Sequence, residues 1–263
     1  MVVGNLYDPV TGLIRLGLGL ILLIIVFALS RWKKLDIERD LGIAALRGFC
    51  QLMLLSIIIM AIFDLNDLFL VLLVLAIMAT AGGYTSARRA KGIPKMFSIT
   101  FISILVGSSV ALSILILIGL IPLQPEFLIP LGGMAIGNSM IGCSLIINRL
   151  KSEFKNNRNK VETALALGAT SDQAGEPYFR ASVKASLIPT IDNLKTLGII
   201  FIPGAMTGML IAGADVIWAA EYQIMVFLMI MSSKSIAIII LSILIKNRLF
   251  TEEHQLNETI QLE

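Results

Sequence analysis

The sequence predicts an all-α, polytopic membrane protein of about seven transmembrane helices. Three observations carry that expectation. Hydrophobic residues make up 57% of the chain and charged residues only 15%, with mean hydropathy +0.88, where a soluble domain would carry about a quarter charged residues. The apolar residues are gathered into runs long enough to cross a hydrocarbon core of about 30 Å. Lysine and arginine are confined to alternate connections. Of the 21 present, 18 lie in the segments that follow spans one, three, five and seven or lead out of them. Only Arg15, Lys195 and Lys234 remain, within or at the edge of apolar runs. Because basic loops stay on the cytoplasmic side, the N-terminus is expected outside and the C-terminus in the cytoplasm.

The first ten residues contain no Lys or Arg, which argues against a cleaved signal with a basic n-region. The first span is expected over 10–30 and ends on Arg31-Trp32-Lys33-Lys34, a basic and aromatic interface anchor. Residues 35–47 mix charges with apolar positions 37, 41, 44 and 45 and are expected to lie along the interface. The second span then reaches Phe63. Asp64-Leu-Asn-Asp67 forms an outside turn. The third span runs to Thr80, where Gly82-Gly83 is expected to loosen it before the basic loop Arg88 to Lys95. The fourth span covers 96–121 and ends in Pro122-Leu-Gln-Pro125-Glu126, and the fifth covers 127–148. After a long polar segment, Tyr178 to Lys195 is amphipathic and turns back toward the membrane. The sixth span is expected over 196–213, broken by Pro203-Gly204. An outside turn over 213–221 leads to the seventh span, 223–245, anchored by Lys246-Asn-Arg248. The acidic tail, 251–263, reads as a short cytoplasmic segment. There is no convincing internal repeat and no second soluble domain.

Several groups inside or beside the spans could carry function. Arg47 and Gln51 share a helix face at i, i+4. Asn138 and Ser139 lie in the fifth span with Cys143. Asp192, Asn193 and Lys195 stand where the chain re-enters, and Asp192 and Lys195 are spaced as an i, i+3 ion pair. Pro203 and Gly204 interrupt the sixth span, followed by Met206, Thr207 and Gly208. Gly204, Gly208 and Ala212 form a small-xxx-small row, as does Gly133 with Gly137. Such rows let helices approach closely in lipid, and a Pro-Gly break can instead expose backbone carbonyls to a pathway. Lys234 interrupts the seventh span; a charge at that depth should face protein or water. Metal chemistry is thinly encoded. The one histidine, His254, is in the tail, and Cys50 and Cys143 have no CxxC spacing. Met134, Met140, Met206 and Met209 could offer thioethers, but packed methionines are commonplace, and the metal-binding residues stay unknown. The net charge of +3 does not point to nucleic acid, because the basic residues sit beside spans.

The longest polar interruption is 149–173. It opens with Arg149, Lys151, Lys155, Arg158 and Lys160 and continues through Glu162 to Thr170. Val161, Ala164, Leu165, Gly168 and Ala169 fall on one face of a short helix. Gly168 is a stop signal, and Thr170, Ser171 and Asp172 are fresh N-cap residues. Its apolar face is expected to lack a core of its own, which would make it a docking device; a plain surface loop with a chance helical turn reads equally well.

Glu162-Thr-Ala-Leu-Ala-Leu-Gly-Ala-Thr170 resembles the coupling motif of ABC-transporter permeases. Together with Arg47-Gly-Phe-Cys-Gln51-Leu52, Gly132 to Gly142, Pro203-Gly-Ala-Met-Thr-Gly208 and Glu221-Tyr-Gln-Ile224, in that order, the chain is similar to the small FetB-type permeases of an iron-export ABC system. Plant half-transporters linked to aluminium tolerance are relatives of that family. The resemblance implies one transmembrane permease domain over 1–250, acting as a homodimer in the cell membrane with a separate ATPase subunit. It implies coupling to that subunit through Glu162, Ala164, Leu165, Gly168 and Ala169. Leu187-Ile188-Pro189 comes later than the ending of the importer motif, which fits export better. No Gly-x-x-x-x-Gly-Lys-Ser/Thr occurs in the sequence, so this chain is expected to be non-catalytic and without a cofactor, ATP and Mg belonging to the partner. Other readings stay open: a permease for a nucleotide sugar, or an ATP-independent carrier using Asp192, Lys195 and Lys234 as relays. An intramembrane enzyme finds little support.

Overall fold

The computed structural model describes residues 9–65, 67–90, 92–200, 202–251 and 255. They form nine helices: α1 (Pro9–Lys33), α2 (Glu38–Leu65), α3 (Leu68–Ala87), α4 (Met96–Leu117), α5 (Pro125–Asn156), α6 (Arg158–Ala166), α7 (Ser171–Thr196), α8 (Gly204–Ile211) and α9 (Val216–Leu249). The chain divides into two units, Met1–Asp64 and Leu65–Glu263. The first eight residues, Asn66, Lys91, His254 and nearly all of the expected tail lie outside the described residues.

The first unit is a helical pair. Arg31 and Lys33 close the last turn of α1, where cations suit the negative end of the helix dipole, and Lys33 lies 4.7 Å over the Trp32 ring. Lys34 and Asp36 take φ of 54° and 55° to reverse the chain. The interfacial stretch expected over 35–47 is not a separate element. From Glu38 it forms the first turns of α2, because Ala44, Ala45 and Leu46 propagate a helix well and the acids Glu38 and Asp40 suit its positive end. Gly42 leaves room for the Phe27 ring, 3.5 Å from where a Cβ would be. Most large apolar side chains of both helices are exposed, as lipid-facing side chains must be.

In the second unit, α9 packs on α4 and α5, and α3 packs on the same two helices. Small residues decide where these helices meet. A Cβ on Gly107 of α4 would sit 2.5 Å from the Ser233 carbonyl oxygen and 2.9 Å from the Ala237 Cβ. The α4–α9 crossing is thus backbone against backbone, the geometry by which packing replaces the hydrophobic effect between helices in lipid. At α3–α4, a Cβ on Gly83 would come within 3.0 Å of Phe101, and the Thr100 hydroxyl donates across to the Gly83 carbonyl at 2.8 Å. Gly82-Gly83 does not loosen α3; it is the contact surface of a continuous helix that runs to Ala87.

Three expected spans change shape, the seventh because α9 already begins at Val216, inside the turn expected over 213–221. α5 continues past Asn148 to Asn156, so the basic residues Arg149 to Lys155 are its last two turns. The sixth span, expected over 196–213, is not one crossing helix. α7 ends at Thr196, Gly198 takes φ +76°, and α8 is only eight residues long, about 12 Å. Pro203 supplies the break: it is the N-cap of α8, extended at φ −67°, ψ 154°. The expected small-residue rows also differ from the observed approaches. Gly137, Gly204 and Gly208 have nothing of this chain within 4 Å of a Cβ position. Gly133 meets only the flexible tip of Met78.

Candidate functional site

The polar interruption becomes a helical elbow. α6 begins at Arg158, directly after α5, and ends where Gly168 takes φ +92°. The Ala169 N–H closes the turn onto the Ala164 carbonyl at 3.0 Å. Thr170 then starts α7 with a reciprocal capping box: its hydroxyl accepts from the Gln173 N–H, while Gln173 Oε1 accepts from the Thr170 N–H at 3.0 Å. Stop and restart thus fall where Gly168 and Thr170 indicate.

The apolar face of α6 points the other way from the expectation. Val161 is fully buried, and Ala164, Leu165 and Ala169 pack against the same core as Phe154 and Phe179. That face does have a core of its own. Leu167, by contrast, is 84% exposed at the tip of the elbow, next to exposed Ala166 and Gly168. Glu162 does not cap the helix start, being in its second turn; its carboxylate pairs with Arg158 Nε at 2.6 Å. Both groups are about half exposed, so the pair contributes a few tenths of a kcal/mol at most.

Below the elbow lies an aromatic hub. Phe154, at the end of α5, is 1% exposed and touches Tyr178 and Phe179 of α7 and Phe250 after α9, with ring centroids 5.4–5.8 Å apart. Gly175 gives Phe179 and Phe250 room: a Cβ there would lie 3.1–3.2 Å from both rings. Lys246 of α9 also reaches Asp172 in the first turn of α7 at 2.7 Å. The elbow is therefore tied to both α5 and α9.

A second group of residues surrounds the α7–α8 break. Asp192 and Lys195 make the expected i, i+3 pair at 3.8 Å, both exposed. Asn193, Gly204, Thr207 and Gly208 are exposed, and Pro203 and Met206 half-buried. Thr207 returns its hydroxyl to the Pro203 carbonyl at 3.1 Å. The residue that sequence reasoning left out of the site is Gln223. It is 4% exposed in α9, and its Oε1 accepts from the Met206 N–H at 3.1 Å. It thereby supplies the cap that Pro203 has no side chain to give. The motif Glu221-Tyr-Gln-Ile224 contains it, but nothing in its spacing says that its amide satisfies another helix.

The remaining positions are dispersed. In α5, Asn138 is half-buried and donates to the Met134 carbonyl at 2.9 Å, while the Ser139 hydroxyl is buried without a partner. Arg47 and Gln51 are exposed on α2, in the first unit. Met134 is exposed, and Met140 and Met209 are half-buried. Among the described residues, no three His, Cys, Asp or Glu side chains come together.

Five helices among the described residues are long and apolar enough to cross a membrane: residues Glu38–Phe63 of α2, then α3, α4, α5 and α9. Such helices, packed through glycine and serine faces, define a multi-pass membrane protein. The chain belongs to the family described as an uncharacterised protein family, UPF0014, whose profile matches residues 13–250. It is 35% identical to the Escherichia coli protein named "Probable iron export permease protein FetB", over 92% of this chain and 93% of that one. It is 36% identical to the rice "UPF0014 membrane protein STAR2", over 89% and 82% of the two chains. It is 32% identical to Arabidopsis thaliana "Protein ALUMINUM SENSITIVE 3", over 93% and 90%. No solved structure matches the chain.

Proposed function

We propose that this chain is the permease subunit of an ABC exporter, with iron or another metal ion as cargo, working as a homodimer with a separate ATPase subunit. The observation that carries the mechanism is the α6 elbow. A nine-residue helix, fixed from within by Val161 and ended by Gly168, presents Leu167 outward between two long helices. An exposed apolar tip on a rigid mount suits a groove on a partner, where a helix inserts apolar anchors. The cargo comes from the name of the Escherichia coli relative. The chain would cross the membrane seven times, with the end of α7, residues 197–203 and α8 making the sixth passage. The Lys and Arg distribution supports an outside N-terminus and an elbow on the cytoplasmic side.

In this reading, closure of the ATPases on ATP pushes Leu167, Gly168 and the exposed edge around Glu162. Ala164, Leu165 and Ala169 act from the inner face, transmitting the push into the core. Phe154 and the Asp172–Lys246 pair carry it to α5 and α9, and Gln223 carries it from α9 to α8. The test is co-purification of the permease with its ATPase, followed by metal-dependent ATP hydrolysis and metal export in liposomes. Stable association with ATP-driven metal efflux is expected. Transport without ATP and without a partner would favour a secondary carrier instead.

A further inference from the structure

α3, α4 and α5 are drawn together at one end and leave a slot at the other. Around the end of α3, small residues let the helices touch. A Cβ on Gly82 would lie 3.6–3.7 Å from Ile136, Met140 and Ile104, and the Ser86 hydroxyl donates to the Met140 carbonyl at 3.0 Å. Toward the start of α3, small residues leave space instead. A cavity of about 260 Å³ runs between 68–76 of α3, 105–116 of α4 and 128–136 of α5. Ala76, Ser109, Ser113 and Gly132 line it where larger side chains would fill it. The Ser108 hydroxyl returns to the Ile104 carbonyl at 2.7 Å, so it adds little polarity to the wall.

The shape selects the occupant. A rise of eight to eleven residues makes the slot about 12–16 Å long. That is close to the roughly 15 Å of one leaflet, half of a hydrocarbon core of about 30 Å. Spread over that length, 260 Å³ is about one hydrocarbon chain wide. The buried Leu128 and Ile136 form the floor, whereas Leu72 and Leu105 line the same slot yet are 57% and 37% exposed. The slot therefore opens on the side where α3 and α4 meet lipid. Water finds no partners in an apolar cavity, and an empty one forfeits the contacts its walls could make.

The rim sets the headgroup. Asp67 immediately precedes Leu68, Glu126 lies between the lining residues Leu123 and Leu128, and both acids are exposed. The connections 64–67 and 118–126 contain no Lys or Arg. We propose that the slot holds one acyl chain of a membrane phospholipid with an amine in its headgroup, as in phosphatidylethanolamine. Because hydrocarbon already surrounds the open side, the seated chain gains close packing rather than a hydrophobic transfer. The two carboxylates favour an ammonium at the rim and disfavour a purely anionic headgroup.

The experiment uses the full permease in nanodiscs of mixed phosphatidylethanolamine and phosphatidylglycerol. A trace of one lipid or the other carries a diazirine on its acyl chain, and adducts are located by peptide mass spectrometry after irradiation. Lipid that merely surrounds the protein reaches exposed side chains, so labelling of the buried Leu128 and Ile136 is the readout. The ethanolamine probe should label them about two- to fivefold more than the glycerol probe, the worth of an exposed charge contact. Ser113→Phe and Ala76→Phe, which fill the slot from opposite walls, should abolish that labelling and leave labelling along α1 unchanged. Ile114→Phe, at an exposed position that does not line the slot, should behave as wild type. If one filling variant fails to fold, the other carries the comparison, and the two probes on wild type test the proposal in either case. An unlabelled floor in wild type would mean that another part of the protein, or a second copy, covers the slot. That result, undiminished floor labelling in a folded filling variant, or equal labelling by the two probes would overturn the proposal.

Discussion

At the scale of single residues, glycine has three different uses in this chain. Gly107 is a steric requirement: the Ser233 carbonyl and Ala237 occupy the space of any side chain. Gly107→Val should therefore force α4 and α9 apart, costing about 1–3 kcal/mol or more, the usual penalty for overpacking, and lower the thermal unfolding temperature in detergent. Gly168 is a conformational requirement, at φ +92° with open space around it. Gly168→Val should cost about 1–2 kcal/mol in the left-handed region, or unwind the elbow, while leaving membrane insertion intact. A pull-down of the ATPase beside a transport assay checks it: binding and transport are expected to fall together while expression holds. Gly208 meets neither requirement within the chain. Gly208→Leu should leave monomer stability unchanged and act only on self-association, measured by dimer yield after crosslinking.

At the scale of elements, what the sequence revealed depended on whether the signal was local. Helix ends were legible where one residue sets the backbone: Gly168 as the stop and Thr170 among the N-cap residues that follow it, while Asp67, read only as part of a turn, proves to cap α3, its carboxylate accepting from the Phe69 N–H at 2.8 Å. Their positions follow from dihedral preference and capping, which neighbouring residues determine. Which face of a helix turns inward was not legible in the same way. The stripe Val161, Ala164, Leu165, Ala169 is apolar whether it meets a partner or its own core. Only the folding of α7 back over α5 decides, through Phe154, Phe179 and Phe250. The small-xxx-small pattern does not mark the close approaches within this chain, for a related reason. Glycine spacing shows that a close approach is possible, but the approach also needs a small partner opposite, as Ser233 and Ala237 provide for Gly107. Phe154 should then be the costliest truncation in the elbow. Phe154→Ala is expected to lose about 3–5 kcal/mol and to uncouple ATP hydrolysis from transport even where the assembled complex survives. Hydrolysis and efflux measured on the same proteoliposomes would show it.

At the scale of the whole molecule, the exterior is as informative as the core. A chain with exposed Leu, Ile and Phe along α1, α2 and the outer sides of α3 and α4 is stable only where hydrocarbon replaces water. The alternation of basic and uncharged connections then sets which ends face the cytoplasm, since translocating Lys and Arg is what insertion avoids. The proposed sixth passage is what a labelling experiment tests: were α7 and α8 to stay on one side, every segment after them would reverse. The measurement starts from a cysteine-free protein, with Cys50 and the fully buried Cys143 replaced by alanine. Single cysteines are then placed at the exposed positions Gln124, Val216, Lys155 and Asn247. In intact cells, an impermeant maleimide should label positions 124 and 216. It should reach 155 and 247 only after the membrane is opened. Labelling of 216 from inside, with 124 still outside, would mean that α7 and α8 do not cross. Labelling of 155 from outside would place the elbow beyond reach of any cytoplasmic ATPase, and the exporter reading would fall with it.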